Sequence, residues 1–403
     1  MRPNENTMQN SFTRPATEFR PPAGGVREHE DSPILVHSTD SSASSPTAHS
    51  PLPTPSSPPT TDLTVNHCPE SDYAGWNRYL AHRGCGFVFH RTEWDRVFAC
   101  YGLAPLRLVA MRSGRIVGVL PLVYQNSLVF GRRLTSLPWF DSAGVIADDV
   151  EATNALIDAA LDIARNRRVS TTLLRQQDPL HGRVPSDSDK VLLRLQLERD
   201  PDALWRRFSP KVRNQVRKAE KAGLTFHSGG MDLVLEFHAV YSENMRDLGS
   251  PPHSRRFFRS LMESFRDEAR IHVVRHEGKA IGTGLVIENS DTMEIPWASS
   301  LRSSSPLCVN HMMYWQILKQ ACERGFRCFH FGRSSKESGQ YHFKKQWGAE
   351  DVPVYWYELT VNGQAAASVG HLREEFGWAS SMWRKLPLWL AQSLGPRLIR
   401  NLP

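Results

Sequence analysis

Six cysteines are spread over 403 residues without one C-x-x-C pair. Cys68, Cys85, Cys100, Cys308, Cys322 and Cys328 lack the spacing of a zinc site, and they read as reduced, mostly buried thiols of a cytosolic protein. No apolar run reaches the roughly 18 residues that a membrane span needs. The N-terminus also lacks the apolar core of a secretory signal, so the chain reads as soluble or at most peripheral. Four familiar signatures are missing: the phosphate loop G-x-x-x-x-G-K-[ST], the dinucleotide fingerprint G-x-G-x-x-G after a strand, the zinc motif H-E-x-x-H and the nucleophile elbow G-x-S-x-G. Hydrolase and NTPase readings therefore lack support, and no metal site is expected.

What is present starts with charge. The net charge is +7, and residues 1–60 hold four Arg against six Asp and Glu, which leaves about nine positive charges on the remainder. A moderately basic body suits an anionic partner such as a nucleotide, tRNA or lipid phosphate; DNA is not expected. The length fits two domains of ordinary size. Residues 1–61, rich in Pro, Ser and Thr, carry almost no apolar periodicity and are expected to be a disordered tail.

From Thr61 onward an internal repeat emerges. "VAMRSGRIVGVLPLV" (Val109 to Val123) aligns without gaps to "VVRHEGKAIGTGLVI" (Val273 to Ile287). Each reads as a β-hairpin with a turn glycine, Gly114 or Gly278, and a second glycine, Gly118 or Gly282, inside the following strand. An amphipathic segment precedes each hairpin, and a helix and then a strand follow it. Four elements in the same order predict two copies of one mixed α/β domain, at 62–200 and 224–360.

Between the copies, residues 201–223 predict a linker helix that opens at Ser209-Pro210 and stops at Gly223. Val212, Val216 and Ala219 form its apolar stripe, while Lys211, Arg213, Asn214, Arg217, Lys218 and Lys221 fan over the opposite arc, which suits an anion. The last segment, 361–403, interleaves Trp378, Trp383 and Trp389 with Arg384, Lys385, Arg397 and Arg400 in an amphipathic helical pattern. That composition suits peripheral contact at the inner face of a membrane, although packing against the body is the commoner fate. The most chemical stretch is "HFGRSSKESGQYHFKKQWGAE" (His330 to Glu350). A buried strand ends at Gly332, and a polar loop carries Arg333, Ser334, Ser335 and Lys336. Then come two lysines in an aromatic frame, of which one is expected to point inward.

"SPKVRNQVRKAEKAG" together with "FGRSSKESGQYHFKKQWGA", one α/β domain apart, resembles the FemAB family of peptidyl and aminoacyl transferases, and more closely its members associated with exosortase and exopolysaccharide loci. The resemblance implies two tandem GNAT-like (acyl-CoA N-acyltransferase-like) domains with mixed sheets, and transfer of an acyl or aminoacyl group to an amine by direct attack. It places Arg213, Asn214 and Lys218 near substrate and makes Lys344 the stabiliser of developing negative charge. Arg217, Arg333 and Ser334 are expected to help bind an anionic envelope or polysaccharide precursor; Tyr341 and His342 are candidate proton acceptors. No tightly bound cofactor is expected, the donor being aminoacyl-tRNA or acyl-CoA. Two other readings remain open: an acyl-CoA-dependent N-acyltransferase of a small amine, and a non-catalytic basic scaffold for tRNA, lipid or polysaccharide precursor. The second domain lacks the glycine-rich loop that holds the CoA pyrophosphate in acetyltransferases, with "LRSSSPLCVNHMM" in its place.

Overall fold

The computed structural model describes residues 62–402 apart from 85–87, 128–130, 187–188 and 362–376. The expected tail, Cys85 and the start of the 361–403 segment lie outside the described residues.

The first repeat runs β1 (Leu63–His67), α1 (Tyr73–His82), α2 (Trp94–Ala99), β2 (Pro105–Arg112), β3 (Arg115–Ser127), β4 (Gly131–Thr135), β5 (Ile146–Ala147), α3 (Val150–Asn166), β6 (Thr171–Gln176) and β7 (Lys190–Gln196). Helices α4 (Pro201–Arg207) and α5 (Pro210–Lys221) follow. The second repeat runs β8 (Thr225–Gly229), α6 (Val234–Leu248), α7 (Arg255–Phe265), β9 (Ala269–His276), β10 (Lys279–Asn289), β11 (Thr292–Ser300), α8 (Val309–Glu323), β12 (Cys328–Ser335), α9 (Gly339–Lys345), β13 (Glu350–Pro353) and β14 (Tyr355–Leu359). Two helices close the described chain, α10 (Gly377–Trp383) and α11 (Leu388–Ile399).

The duplication extends to fine detail. Both hairpins turn through two residues at positive φ, Ser113-Gly114 and Glu277-Gly278, the conformation that matches strand twist. Each then carries one bulge just before its internal glycine, at Val117 and at Ile281. The glycine is needed because a helix crosses there. A Cβ on Gly118 would lie 2.9 Å from Cδ1 of Leu156 on α3, and one on Gly282 would lie well inside contact with Val309 on α8.

The sheets do not part where the chain is expected to divide. The first has the order β1-β2-β3-β4-β6-β14 with β5 beside β3, and the second β13-β7-β12-β11-β10-β9-β8. Strand β7, from the end of the first repeat, pairs antiparallel with β12, while β14, from the end of the second, pairs antiparallel with β6. Each repeat thus completes its sheet with a strand from the other. The boundaries 62–200 and 224–360 follow the repeat in sequence, whereas sheet membership crosses them. β4–β6 and β11–β12 are parallel and the other strand pairs antiparallel, so both sheets are mixed.

Helix α5 has the expected form. The Ser209 hydroxyl accepts from the Val212 N–H, and Val212, Val216 and Ala219 are buried in the core that α8 shares. A second core joins the repeats, with Trp94 of α2 set 4.9 Å from Phe265 of α7, ring centre to ring centre. Helix α11 lies on the same body: Ala391 and Ile399 are buried, Gln392 donates to Ser242 Oγ at 2.7 Å, and Trp139 Nε1 donates to the Ile399 carbonyl at 2.9 Å. Trp378 and Trp389 keep two thirds of their surface in solvent, at 66 % and 68 % exposure. No helix among the described residues is long and apolar enough to cross a membrane.

Candidate active site

Strands β11 and β12 pair only over Thr292–Glu294 and Cys328–His330. Beyond that their unpaired lengths, from Ile295 and from Phe331, line a cavity of about 560 Å³. Two unpaired parallel strands present backbone N–H and C=O groups to whatever occupies the gap. The first repeat reaches into the cavity through Trp139, Phe140 and Asp141, so its wall is built from both copies.

Gly332 organises its polar end. β12 has two residues, Phe331 and Gly332, where β7 has only Leu193, and Gly332 takes φ +71°. This left-handed bulge is cheap only for glycine. It brings the carbonyls of Gly332 and Arg333 to the Nζ of Lys344, which donates to them at 3.2 and 3.0 Å. Lys344 sits on α9, whose N-cap Ser338 accepts from the Tyr341 N–H. At about 100° per residue, Gln340, Phe343 and Lys344 face the cavity and the intervening positions face away.

Lys344 is 8 % exposed, and burial pushes its ammonium down to about 8; the Asp141 carboxylate opposes the fall and the Arg333 guanidinium adds to it. An ammonium has three N–H donors, and the two carbonyls use two of them. The third is available to a ligand. Arg333 is held by Asp141, which accepts from its Nε and from its backbone N–H, both at 3.0 Å. The guanidiniums of Arg333 and Arg175 both lie over Trp356, at 4.8 and 4.7 Å from the ring centre. Trp356 is on the exchanged strand β14, so strand exchange supplies one support of the site. Glu294 on β11 is buried, and burial followed by the Asp141 charge pushes its carboxyl up to about 8.

The structure therefore brings Lys344 and Arg333 together at the cavity. Lys345 points outward to Asp351 at 3.1 Å. Tyr341 and His342 are off the cavity: Tyr341 donates to Asp351 at 3.0 Å and exposed His342 lies 3.4 Å from Glu337. Neither of these candidate proton acceptors lines the cavity, since positions 341 and 342 fall on the outer arc of α9. Ser334 is buried on β12 opposite Val191, outside the cavity lining. Arg213, Asn214, Arg217 and Lys218 do not line the cavity either. Arg217 lies over Trp205 and donates to Asn214, and Arg213 is half-buried. Their helix does border the start of α8, because Gln215 Oε1 accepts from Cys308 Sγ at 2.6 Å.

Sequence reasoning missed Asp141, Glu294 and Trp356. Asp141 follows a "PWF" run with no motif around it, and only the fold brings it to Arg333, 192 residues away.

The two repeats differ at the helix that follows their parallel strand. In the first, the N-terminus of α3 is filled: Asp149 accepts from the Ala152 N–H at 2.8 Å, and Arg112 ties Asp149 to Glu151. In the second, Arg302–Leu307 forms a short 3₁₀ turn, and α8 begins after Cys308 with no side-chain cap and no acidic residue in its first turn. Asn310, in the first turn of α8, forms part of the cavity wall, at the end of the helix that carries the positive pole of its dipole.

Residues 206–345 match the sequence model of the family described as Acetyltransferase (GNAT) domain. Among solved structures, FemX is 15% identical with a TM-score of 0.57, over 73% of this chain and 97% of FemX. A tandem GNAT protein from the clavulanic acid biosynthesis pathway is 14% identical with a TM-score of 0.50, over 76% of this chain and all of that one. A search of curated proteins finds no match. The fold is therefore mixed α/β with two GNAT-like units, similar in fold to FemX, and the match over residues 206–345 makes the chain an acyltransferase.

Proposed function

We propose that this enzyme transfers an acyl or aminoacyl group to an amine of a cell-envelope or exopolysaccharide precursor. The observation that carries the reading is the buried Lys344 ammonium, fixed by two carbonyls with one N–H left for a ligand. The acceptor amine attacks the donor's carbonyl carbon, the C–N bond forms, and the oxyanion of the tetrahedral intermediate meets that N–H. The bond to the donor's thiolate or alkoxide then breaks, and the proton lost by the amine ends on that leaving group. A charge fixed in a dry site beforehand stabilises such an oxyanion far more than water does.

Arg213, Asn214, Arg217 and Lys218 would meet the precursor's phosphates beside the start of α8, with Arg333 and Ser334 supporting the substrate from β12. Helices α10 and α11, with exposed Trp378 and Trp389 among Arg384, Lys385, Arg397 and Arg400, would rest on the inner face of the membrane where such precursors are made.

The uncapped α8 favours acyl-CoA over aminoacyl-tRNA as donor, because a pyrophosphate would find the Val309 and Asn310 amides without a side-chain cap there and a filled helix end in the first repeat. This also keeps the second reading, N-acylation of a small amine, in play. The test is a mass-shift assay with acyl-CoA or aminoacyl-tRNA against amine-bearing precursors and small amines. A precursor gaining one acyl mass supports the proposal. Acylation confined to small amines selects the second reading, and ligand binding with no product from any pair overturns both.

A further inference from the structure

We propose that Asp141 is the positioning residue of this site, a carboxylate lent by the first repeat that holds Arg333 so that the carbonyls carrying the Lys344 ammonium stay in place. This rests on the reading of Lys344 as the positive pole.

In the second repeat, β11 passes the cavity as one strand. In the first, the corresponding path is interrupted: β4 ends at Thr135 and only Ile146–Ala147 returns to pair with β3. The chain between makes an excursion that only one copy has. Its backbone is strained, with Leu137 at φ +55° and Trp139 at φ +73°. It is clamped all along: Trp139 stacks on Phe98 at 5.0 Å, and Arg175 Nη1 donates to the Phe140 carbonyl at 2.8 Å. What the excursion delivers is Asp141, whose two oxygens take the Nε–H and the backbone N–H of Arg333. Fixing both ends of one residue fixes its carbonyl, and that carbonyl is one of the two acceptors of Lys344 Nζ. A mere tie between the repeats would need only one of these bonds.

The charges around Lys344 are Asp141 and Arg333, with Arg175 and Glu294 behind them and Glu358 beyond Arg175. Asp141 is the negative partner that acts directly on the ammonium. Its loss should release the proton more easily and loosen the carbonyl pair. The burial that depresses Lys344 would then act with less opposition.

The experiment follows the ionisation of Lys344 in the full chain by its pH-dependent labelling with acetic anhydride, read by mass spectrometry in a Lys345→Arg background so that α9 carries one reactive amine. Asp141→Asn is expected to lower the labelling midpoint by about one pH unit, a tenfold change in the ratio of neutral to charged amine. Asp141→Glu keeps the charge but lengthens the arm by one methylene, displacing Arg333, and is expected to lower the midpoint by less. An unchanged midpoint in whichever of the two variants folds overturns the proposal, whatever happens to its melting temperature. Because the readout is ionisation and not turnover, a shifted midpoint beside full activity in Lys344→Ala would refute the catalytic reading while leaving Asp141 as the positioning residue.

Discussion

Gly282 lies directly beneath Val309, the first residue of α8, with no room between them for a methyl group. The helix that leads from the cavity is seated on that glycine. Gly282→Ala should therefore lift the start of α8, cost about 1–3 kcal/mol of stability as overpacking does, and regain part of it when combined with Val309→Ala. Urea denaturation of the single and double variants measures this.

Stability should fall as pH rises through a window in which Glu294 sets the slope. Burial holds His90 and His330 down to about 4, and His253 and His272 down to about 3, so their contribution is complete above about 6.5 and is lost as pH falls below it. Glu294 runs the opposite way: its native carboxyl is raised to about 8 while the unfolded one ionises at its ordinary value, so stability declines as pH rises towards 8. Between roughly pH 6.5 and 7.5, above the histidines and below the midpoint near 8 where proton loss from Lys344 adds an opposing rise, the Glu294 slope dominates, at most about 1.4 kcal/mol per pH unit. Glu294→Gln should flatten that window and leave the acid limb intact, as denaturation at a series of pH values would record.

Neither half should fold without the other. Residues 62–200 expressed alone would leave β6 without β14 and carry β7 without its sheet, so a cooperative unfolding transition should appear only in the joined chain. A sharp transition in that fragment would count against the exchanged strands.

The same strands mark the limit of what the sequence discloses. Local signals were legible: the Ser209-Pro210 helix start, the Val212, Val216 and Ala219 stripe, and the aligned hairpins with their inner glycines all concern neighbours in the chain. Of the two lysines, the aromatic frame already suggests that one turns inward; the FemAB resemblance picks Lys344, and the phase of α9 in the structure turns that residue to the cavity. Strand exchange was not legible, because an apolar strand such as "VLLRLQ" declares itself buried but not which sheet edge it joins. Asp141 and Trp356 were invisible for the same reason, since their partners are set by topology alone.

The C-terminal helices give a prediction at the surface. Residues 377–403 carry no Asp or Glu, and Trp378 and Trp389 are mostly exposed. Trp378→Ser with Trp389→Ser should leave the melting temperature within about two degrees, as substitutions away from the core do. It should also cut sedimentation with vesicles containing anionic lipid several-fold, whereas equal sedimentation of both proteins would remove the membrane from the account.

The central claim rests on Lys344, and the most direct measurement compares acyl transfer by Lys344→Ala and Lys345→Ala with the parent at saturating donor. The two lysines are adjacent, but only one enters the cavity. Loss of an oxyanion donor typically costs about a hundredfold or more in kcat; that loss is predicted for Lys344→Ala, with Lys345→Ala within about threefold of the parent. Equal activity in the two variants would contradict the account.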